Sequence, residues 1–129
     1  MEVWGTGKPK REFLFSDDLA DACVFVMEKW APDKKILPLL ADGKPLYFLN
    51  VGTGLEISIK DLSELISNEV GFKGRIIWDK TKPDGTPRKK LDTTKINDLG
   101  WMAKTNLNEG IELTLKHFKN EVLNLSLRE

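Results

Sequence analysis

Residues 82–90 read Lys-Pro-Asp-Gly-Thr-Pro-Arg-Lys-Lys, and the interpretation of the whole chain depends on this stretch. Two prolines and a Pro-Asp-Gly turn exclude a helix, because proline lacks a backbone N–H and this tripeptide favours a turn. The sequence therefore predicts an ordered loop that carries four cations. The loop follows a predicted strand at 75–78 and precedes a shorter predicted strand at 91–92.

An ordered basic loop of this kind suits a phosphorylated, hydroxyl-rich ligand. Arginine makes forked contacts to phosphate, lysine supplies a point charge, and aspartate accepts hydrogen bonds from ligand N–H or O–H groups. The alternative is a solvated turn whose charges are incidental.

The composition limits the classes of partner. The chain has 129 residues, 40% of them hydrophobic, and no net charge. A neutral chain has no global basic field, so we expect no nucleic-acid partner and only local phosphate recognition. We also expect no membrane association, since no apolar run reaches the length of a span and the first residues lack a signal-peptide pattern. A single cysteine, Cys23, suits a cytoplasmic protein.

The order of the predicted elements is strand, helix, strand, helix, strand, short helix, helix. This order predicts an α/β or α+β-like fold with a small mixed sheet and about three main helices. The first helix begins at Ser16 or Asp17 and runs to about Trp30, with an apolar surface broad enough to be covered on more than one side. The apolar run at 47–51 predicts a strand buried on both faces. Ser58 and Asn106 are predicted to cap the starts of the second and the last main helix, and Gly71 to end the second.

The sequence contains no convincing catalytic centre. The one histidine, His117, is predicted to lie on the surface, and Cys23 to lie buried on the core stripe of the first helix, so neither a triad nor a zinc site can be assembled. The turn at 52–54 resembles the start of a dinucleotide fingerprint, but Ile57 stands where the third glycine belongs. A plain tight turn is the preferred interpretation.

Binding chemistry remains, and two short segments, 4–11 and 82–90, are rich in cations and small residues. If they converge, Trp4 offers a face for a base or sugar ring, while Arg11 and Lys89 offer charge to a diphosphate. Periodicity does not establish this convergence. A core position for Trp4 and a salt bridge from Arg11 to a neighbouring acid stay open as alternatives.

Segments 3–14, 17–20 and 50–54 resemble the corresponding parts of extended short-chain dehydrogenases. Residues 82–89, followed by Leu91 and Asp92, more specifically resemble the GDP-L-fucose synthase family. Its members are NADPH-dependent 3,5-epimerases and 4-reductases of GDP-4-keto-6-deoxy-D-mannose. The resemblance implies that residues 1–129 form a single C-terminal substrate-binding domain. The Rossmann domain that binds NADP(H), and the catalytic residues, then lie outside this chain.

The resemblance also implies a set of binding residues. Trp4 and Arg11 match positions that contact the nucleotide sugar, Asp84 matches a substrate position at the nucleoside end, and Lys89 matches a cation near the diphosphate. It implies no catalytic residue, cofactor or metal in this chain, which alone would be inactive. The alternatives are a stand-alone nucleotide-sugar binding module and the C-terminal domain of another nucleotide-sugar epimerase or dehydratase. We expect the N-terminal dinucleotide domain as a partner, and self-association of the isolated chain through exposed apolar surface.

Overall fold

The computed structural model describes residues 1–29 and 39–126. These form nine elements of mixed α/β structure, and the predicted small mixed sheet and three main helices are confirmed. None of the described helices is both long and apolar enough to cross a membrane. The elements are β1 (Glu2–Trp4), β2 (Lys10–Arg11), α1 (Ser16–Lys29), β3 (Ile57–Ser58), α2 (Ile59–Glu69), β4 (Ile77–Asp79), β5 (Arg88–Lys89), α3 (Thr94–Asp98) and α4 (Leu107–Ser126).

The chain divides into two compact units. The first unit combines Met1–Arg11 and Ile57–Lys89 with the segment that starts at Thr105, and the second combines Glu12–Glu56 with Lys90–Lys104. That residues 1–129 serve as one substrate-binding domain stays a prediction.

Two small sheets organise the first unit. β1 pairs in parallel with β4, and β2 is the middle strand of the order β3-β2-β5, antiparallel to β3 and parallel to β5. The strand predicted at 75–78 is confirmed with a small shift. The strand predicted at 91–92 is wrong, because β5 lies earlier, where Arg88 and Lys89 pair with β2. The N–H of Leu91 instead donates to the carboxylate of Glu12 at 2.9 Å.

Side-chain caps fix the long helices of the first unit. Ser58 Oγ accepts a hydrogen bond from the N–H of Asp61 at 3.0 Å, and Gly71, with a φ of +66°, follows the end of α2. Asn106 Oδ1 accepts from the N–H of Glu109 at 3.0 Å at the start of α4. These ends agree with the predicted ones, and α2 and α4 contact each other.

Apart from Pro9, the buried apolar side chains that the structure describes belong to the second unit. Half-buried side chains from α1, from residues 49–51 and from the segment after α3 pack around them. The predicted strand at 47–51 is wrong. No described segment pairs with its backbone, and Tyr47 and Phe48 are 72% and 62% exposed. The buried set is Ala22, Leu46, Ile96 and Trp101.

Helix α1 has two apolar faces. The inner face carries Ala22 with the half-buried Phe25 and Val26, and the outer face is exposed and follows helical spacing. The predicted burial of Cys23 is wrong, because the core face centres on Ala22 and turns Cys23 outward. Trp30, predicted to end the helix, lies outside the described residues. The outer face consists of Leu19, Ala20, Cys23, Val24 and Met27.

The carboxylate of Glu12 joins separate segments of the second unit. Its Oε1 accepts a hydrogen bond from the N–H of Gly54 at 2.7 Å, and its Oε2 accepts one from Leu91 at 2.9 Å. A Cβ on Gly52 would lie 2.9 Å from the carboxyl carbon of Glu12, so only glycine fits there without a shift. Residues 52–54 therefore form the tight turn that the sequence predicts.

Replacing Glu12 with glutamine tests this junction. An amide presents one oxygen and one NH₂ group to two N–H donors, so one hydrogen bond is lost and two donors oppose each other. We expect Glu12→Gln to lower the free energy of unfolding by ~1–3 kcal/mol, measured by urea denaturation. Glu112→Gln, on the exposed side of α4, is the matched control and should be nearly neutral. Equal effects in the two variants would contradict the structural role of Glu12.

Candidate functional site

The structure brings the two basic segments of the sequence together inside the first unit. The N–H of Gly5 donates to the carbonyl of Asp79, and the N–H of Lys10 donates to the carbonyl of Pro87, each at 2.9 Å. The pairing of β2 with β5 then sets Arg11 opposite Lys89. Segments 4–11 and 82–90 therefore do lie side by side, which the sequence alone left open.

Arg11 and Lys89 form the cationic centre of this surface. Residues paired across adjacent strands are direct neighbours on one sheet, and like charges in that position repel each other. Within the described residues neither side chain makes an ion pair, so the proposed salt bridge from Arg11 to a neighbouring acid is not formed. An anion held between the two cations would relieve their repulsion.

The Arg11 guanidinium lies between the backbone of its own strand, β2, and the basic loop. Its Nη1 donates to the carbonyl of Lys10 at 2.6 Å, and a Cβ on Gly85 would lie 3.1 Å from its Nη2. The guanidinium thus lies against the backbone of Gly85, where a larger residue would crowd it. This side chain is half-buried, whereas Lys89 is exposed.

Asp84 fastens the basic loop to the turn after β1. Its Oδ1 accepts a hydrogen bond from the N–H of Thr6 at 2.7 Å, and its Oδ2 accepts one from Thr6 Oγ1 at 2.6 Å. Hydrogen bonds from the Thr6 hydroxyl and N–H, and then the charge of Lys8, lower the pKa of Asp84. Thr6 itself was not singled out from the sequence, since a lone threonine in a Gly-Thr-Gly turn gives no signal of a partner 78 residues away.

Trp4 lies at the end of β1 and is 69% exposed, so the alternative of a core position is wrong. The ammonium of Lys82 lies over its ring, 5.5 Å from the centroid. An exposed indole with a cation over it can stack a planar ring and place a charge beside it. The structure thus brings Arg11 to Lys89, Asp84 to Thr6, and Trp4 to Lys82.

The remaining candidate sites are structural. The turn at 52–54 does not fit a pyrophosphate, because the N–H of Gly54 already donates to the Glu12 carboxylate, and a second anion there would be repelled. No group of three metal-binding side chains occurs within 1–29 and 39–126. A groove of about 480 Å³ in the second unit is lined by Asp21, whose carboxylate accepts hydrogen bonds from Trp101 and Lys104. His117 is exposed, as predicted.

The chain is similar to known proteins of the epimerase/dehydratase and GDP-L-fucose synthase types. The model of the NAD dependent epimerase/dehydratase family matches residues 1–37. A putative GDP-L-fucose synthase 2 of Arabidopsis thaliana is 46% identical over 121 residues, which is 94% of this chain and 33% of the plant protein. The GDP-L-fucose synthase of Escherichia coli K12 is 42% identical over 90% of this chain and 35% of its own length.

A solved structure of a GDP-sugar reductase is also similar to this chain. A GDP-mannoheptose C4 reductase from Campylobacter jejuni, with NADP bound, superposes with a TM-score of 0.74 and 37% identity, over 92% of this chain and 34% of the reductase. The resemblance to GDP-L-fucose synthases, first seen in residues 82–89, is therefore confirmed. The chain spans about a third of the length of the curated relatives it matches.

Acid titration tests the contact between Asp84 and Thr6. Because the folded pKa of Asp84 is lowered, its contribution to stability is complete above the ordinary pKa of 3.8 and is lost as the pH falls through the folded value. We expect the carboxyl carbon of Asp84 to titrate below pH 3.8 by NMR, with the amide of Thr6 shifting at the same midpoint. In Thr6→Val the midpoint should rise. A wild-type midpoint at the ordinary value would disprove the contact.

Proposed function

We propose that this chain is the GDP-sugar binding part of an enzyme of the GDP-L-fucose synthase type, which converts GDP-4-keto-6-deoxy-D-mannose to GDP-L-fucose with NADPH. The observation that carries the proposal is the pairing of Arg11 with Lys89, which sets two cations side by side with no ion pair to an acid among residues 1–29 and 39–126. A nucleotide diphosphate supplies two adjacent anionic groups for such a pair. The similarity to GDP-L-fucose synthases supplies the class of ligand.

Four residues form the binding wall in this proposal. Arg11 and Lys89 contact the diphosphate, Trp4 offers its exposed ring to the base or the sugar, and Asp84 belongs to the loop that closes the wall. Both oxygens of Asp84 already accept hydrogen bonds from Thr6.

The chemistry of the complete enzyme is divided between its parts. The reaction removes and restores protons on carbons of the sugar ring beside a ketone, and then reduces that ketone. NADPH, bound by the N-terminal domain, supplies the hydride for the reduction. Arg11, Lys89 and Trp4 orient the sugar nucleotide and neutralise its charge, which fixes the reacting carbon relative to groups outside this chain. By itself the chain is inactive. The complete enzyme is both an isomerase and an oxidoreductase, and it is cytoplasmic.

The apolar surfaces of the second unit support a dinucleotide domain as partner. The outer face of α1 and the exposed pair Tyr47 and Phe48 are unusually apolar for solvent-facing surface. Residues 47–51 also have no described strand beside them, and a neighbouring sheet would supply one.

A chimera tests the function directly. Residues 1–129 would replace the matching third of the E. coli synthase, and NADPH oxidation with the GDP-4-keto sugar would be followed. We expect turnover, and we expect Arg11→Ala to raise the KM for the GDP-sugar by the equivalent of ~1.5–3 kcal/mol, the scale of a hydrogen bond to a charged group.

The matched control for Arg11→Ala is Lys10→Ala, since successive side chains of a strand point to opposite faces. Lys10→Ala should leave the KM unchanged. A folded chimera that binds NADPH and turns over the sugar with the same KM in the Arg11→Ala form would refute the binding role. Preference for a UDP-sugar over the GDP-sugar would favour another nucleotide-sugar epimerase as the parent.

Self-association of the isolated chain follows from the same apolar surfaces. Without a partner, the outer face of α1 is expected to bury itself against a second copy. Static light scattering should give an average mass above that of the 14.6 kDa monomer, and Val24→Lys should lower it. Lys29→Glu at the end of the same helix is the control and should have little effect. A monomer at high concentration would contradict this expectation.

A further inference from the structure

We propose that Asp84 serves the GDP-sugar site as a positioning residue, acting through Thr6 on the placement of Arg11 and Lys89, and is not a ligand of the nucleoside. The inference rests on the proposed function, and it assigns to Thr6 a role that the sequence did not indicate.

The first step is that Thr6 belongs to a fixed segment. The N–H groups of Ile59 and Lys60, at the start of α2, donate to the carbonyls of Pro9 and Gly7 at 3.0 and 2.9 Å. Gly7 and Pro9 are buried, and a Cβ on Gly7 would lie 2.8 Å from the ring of Trp78. The turn that carries Thr6 is thus held by α2 and by packing, independently of the basic loop.

The second step is that the basic loop has little support of its own. Every residue from 81 to 90 is exposed, so burial contributes little to its position. The two prolines stiffen the loop but do not attach it to anything. Segment 83–87 is attached by the double hydrogen bond of Asp84 to Thr6 and by the carbonyl of Pro87, which accepts from Lys10. Before this segment the N–H of Lys82 donates to Asp79, and after it β5 pairs with β2.

The third step connects this attachment to the two cations. Segments 6–10 and 84–87 are joined at both ends, by Thr6 with Asp84 and by Lys10 with Pro87, and β2 and β5 continue directly from the second junction. Gly85, next to Asp84, faces the guanidinium of Arg11. Loss of the first junction would therefore displace Gly85 and loosen Lys89 relative to Arg11. A loose cation pair binds a diphosphate less well, whichever base the diphosphate carries.

The two roles of Asp84 predict different results with different ligands. A nucleoside ligand would discriminate between bases, whereas a positioning residue would affect every diphosphate equally. NMR titrations of the 129-residue chain with GDP, UDP and inorganic pyrophosphate separate these cases. We expect Asp84→Ala, which removes both hydrogen bonds, and Thr6→Val, which removes the one from the hydroxyl, each to weaken all three probes, by a factor of about ten in Asp84→Ala. The ratio of GDP to UDP affinity should stay unchanged.

Three further measurements complete the test. The double variant should bind no more weakly than Asp84→Ala, because the hydrogen bond lost in Thr6→Val is one of the two lost in Asp84→Ala. Thr6→Ser keeps both the hydroxyl and the N–H, so it should bind all three probes with wild-type affinity. Without any ligand, exchange of the Lys10 amide should be faster in Thr6→Val than in the wild type, while the amides of α2 are unchanged, which shows that the unit still folds.

The opposing outcomes are distinct. A change of the GDP to UDP ratio in Asp84→Ala, with no such change in Thr6→Val, makes Asp84 a nucleoside ligand and overturns the inference. So does wild-type affinity for all three probes in Thr6→Val. A wild-type chain that binds none of the probes overturns the proposed function itself, and with it the role of Asp84 toward a ligand.

Discussion

The first unit depends on the pairing of one two-residue strand. β2 is hydrogen-bonded on one side to β3 and on the other to β5. Both of its residues pair with both neighbours, and Arg11 lies opposite Ile57 and Lys89. A ladder this short gives little stability unless the segments beside it are held in place. Prolines, positive-φ glycines and side-chain hydrogen bonds provide that restraint, because, apart from Pro9, the buried apolar side chains of the described chain lie in the second unit.

Internal contacts hold several acids of this chain, while two of its cations lie side by side. The carboxylates accept from N–H or O–H donors of the protein itself: Asp84 from Thr6, Glu12 from two backbone amides, and Asp21 from Trp101 and Lys104. These acids serve to join segments. Arg11 and Lys89 form no ion pair with an acid among the described residues. Local charge therefore follows from where the fold places each charged group, and the net charge of the chain does not reveal it.

The sequence predicted what local chemistry determines. α2 and α4 begin at the predicted caps, since Ser58 and Asn106 each reach an N–H only three residues away. The strands at 47–51 and 91–92 were wrong because a strand exists only with a partner, and partners are chosen by the fold over long distances in the chain. The predicted burial of Cys23 was wrong for a related reason. Apolar residues surround most of α1, so the pattern does not specify which face meets the core.

In the candidate site, too, the sequence predicted the local features and missed the long-range contacts. The sequence identified the cations and the rigid loop, because proline, glycine and charge are properties of single residues. It did not identify Thr6, whose importance lies only in its contact with Asp84, 78 residues away. Recognition of a family assigns a residue to a site without stating how the residue acts there. The hydrogen bonds around Asp84 supply that missing step, because a carboxylate already held by two donors of its own protein is better suited to hold a loop than to distinguish one base from another.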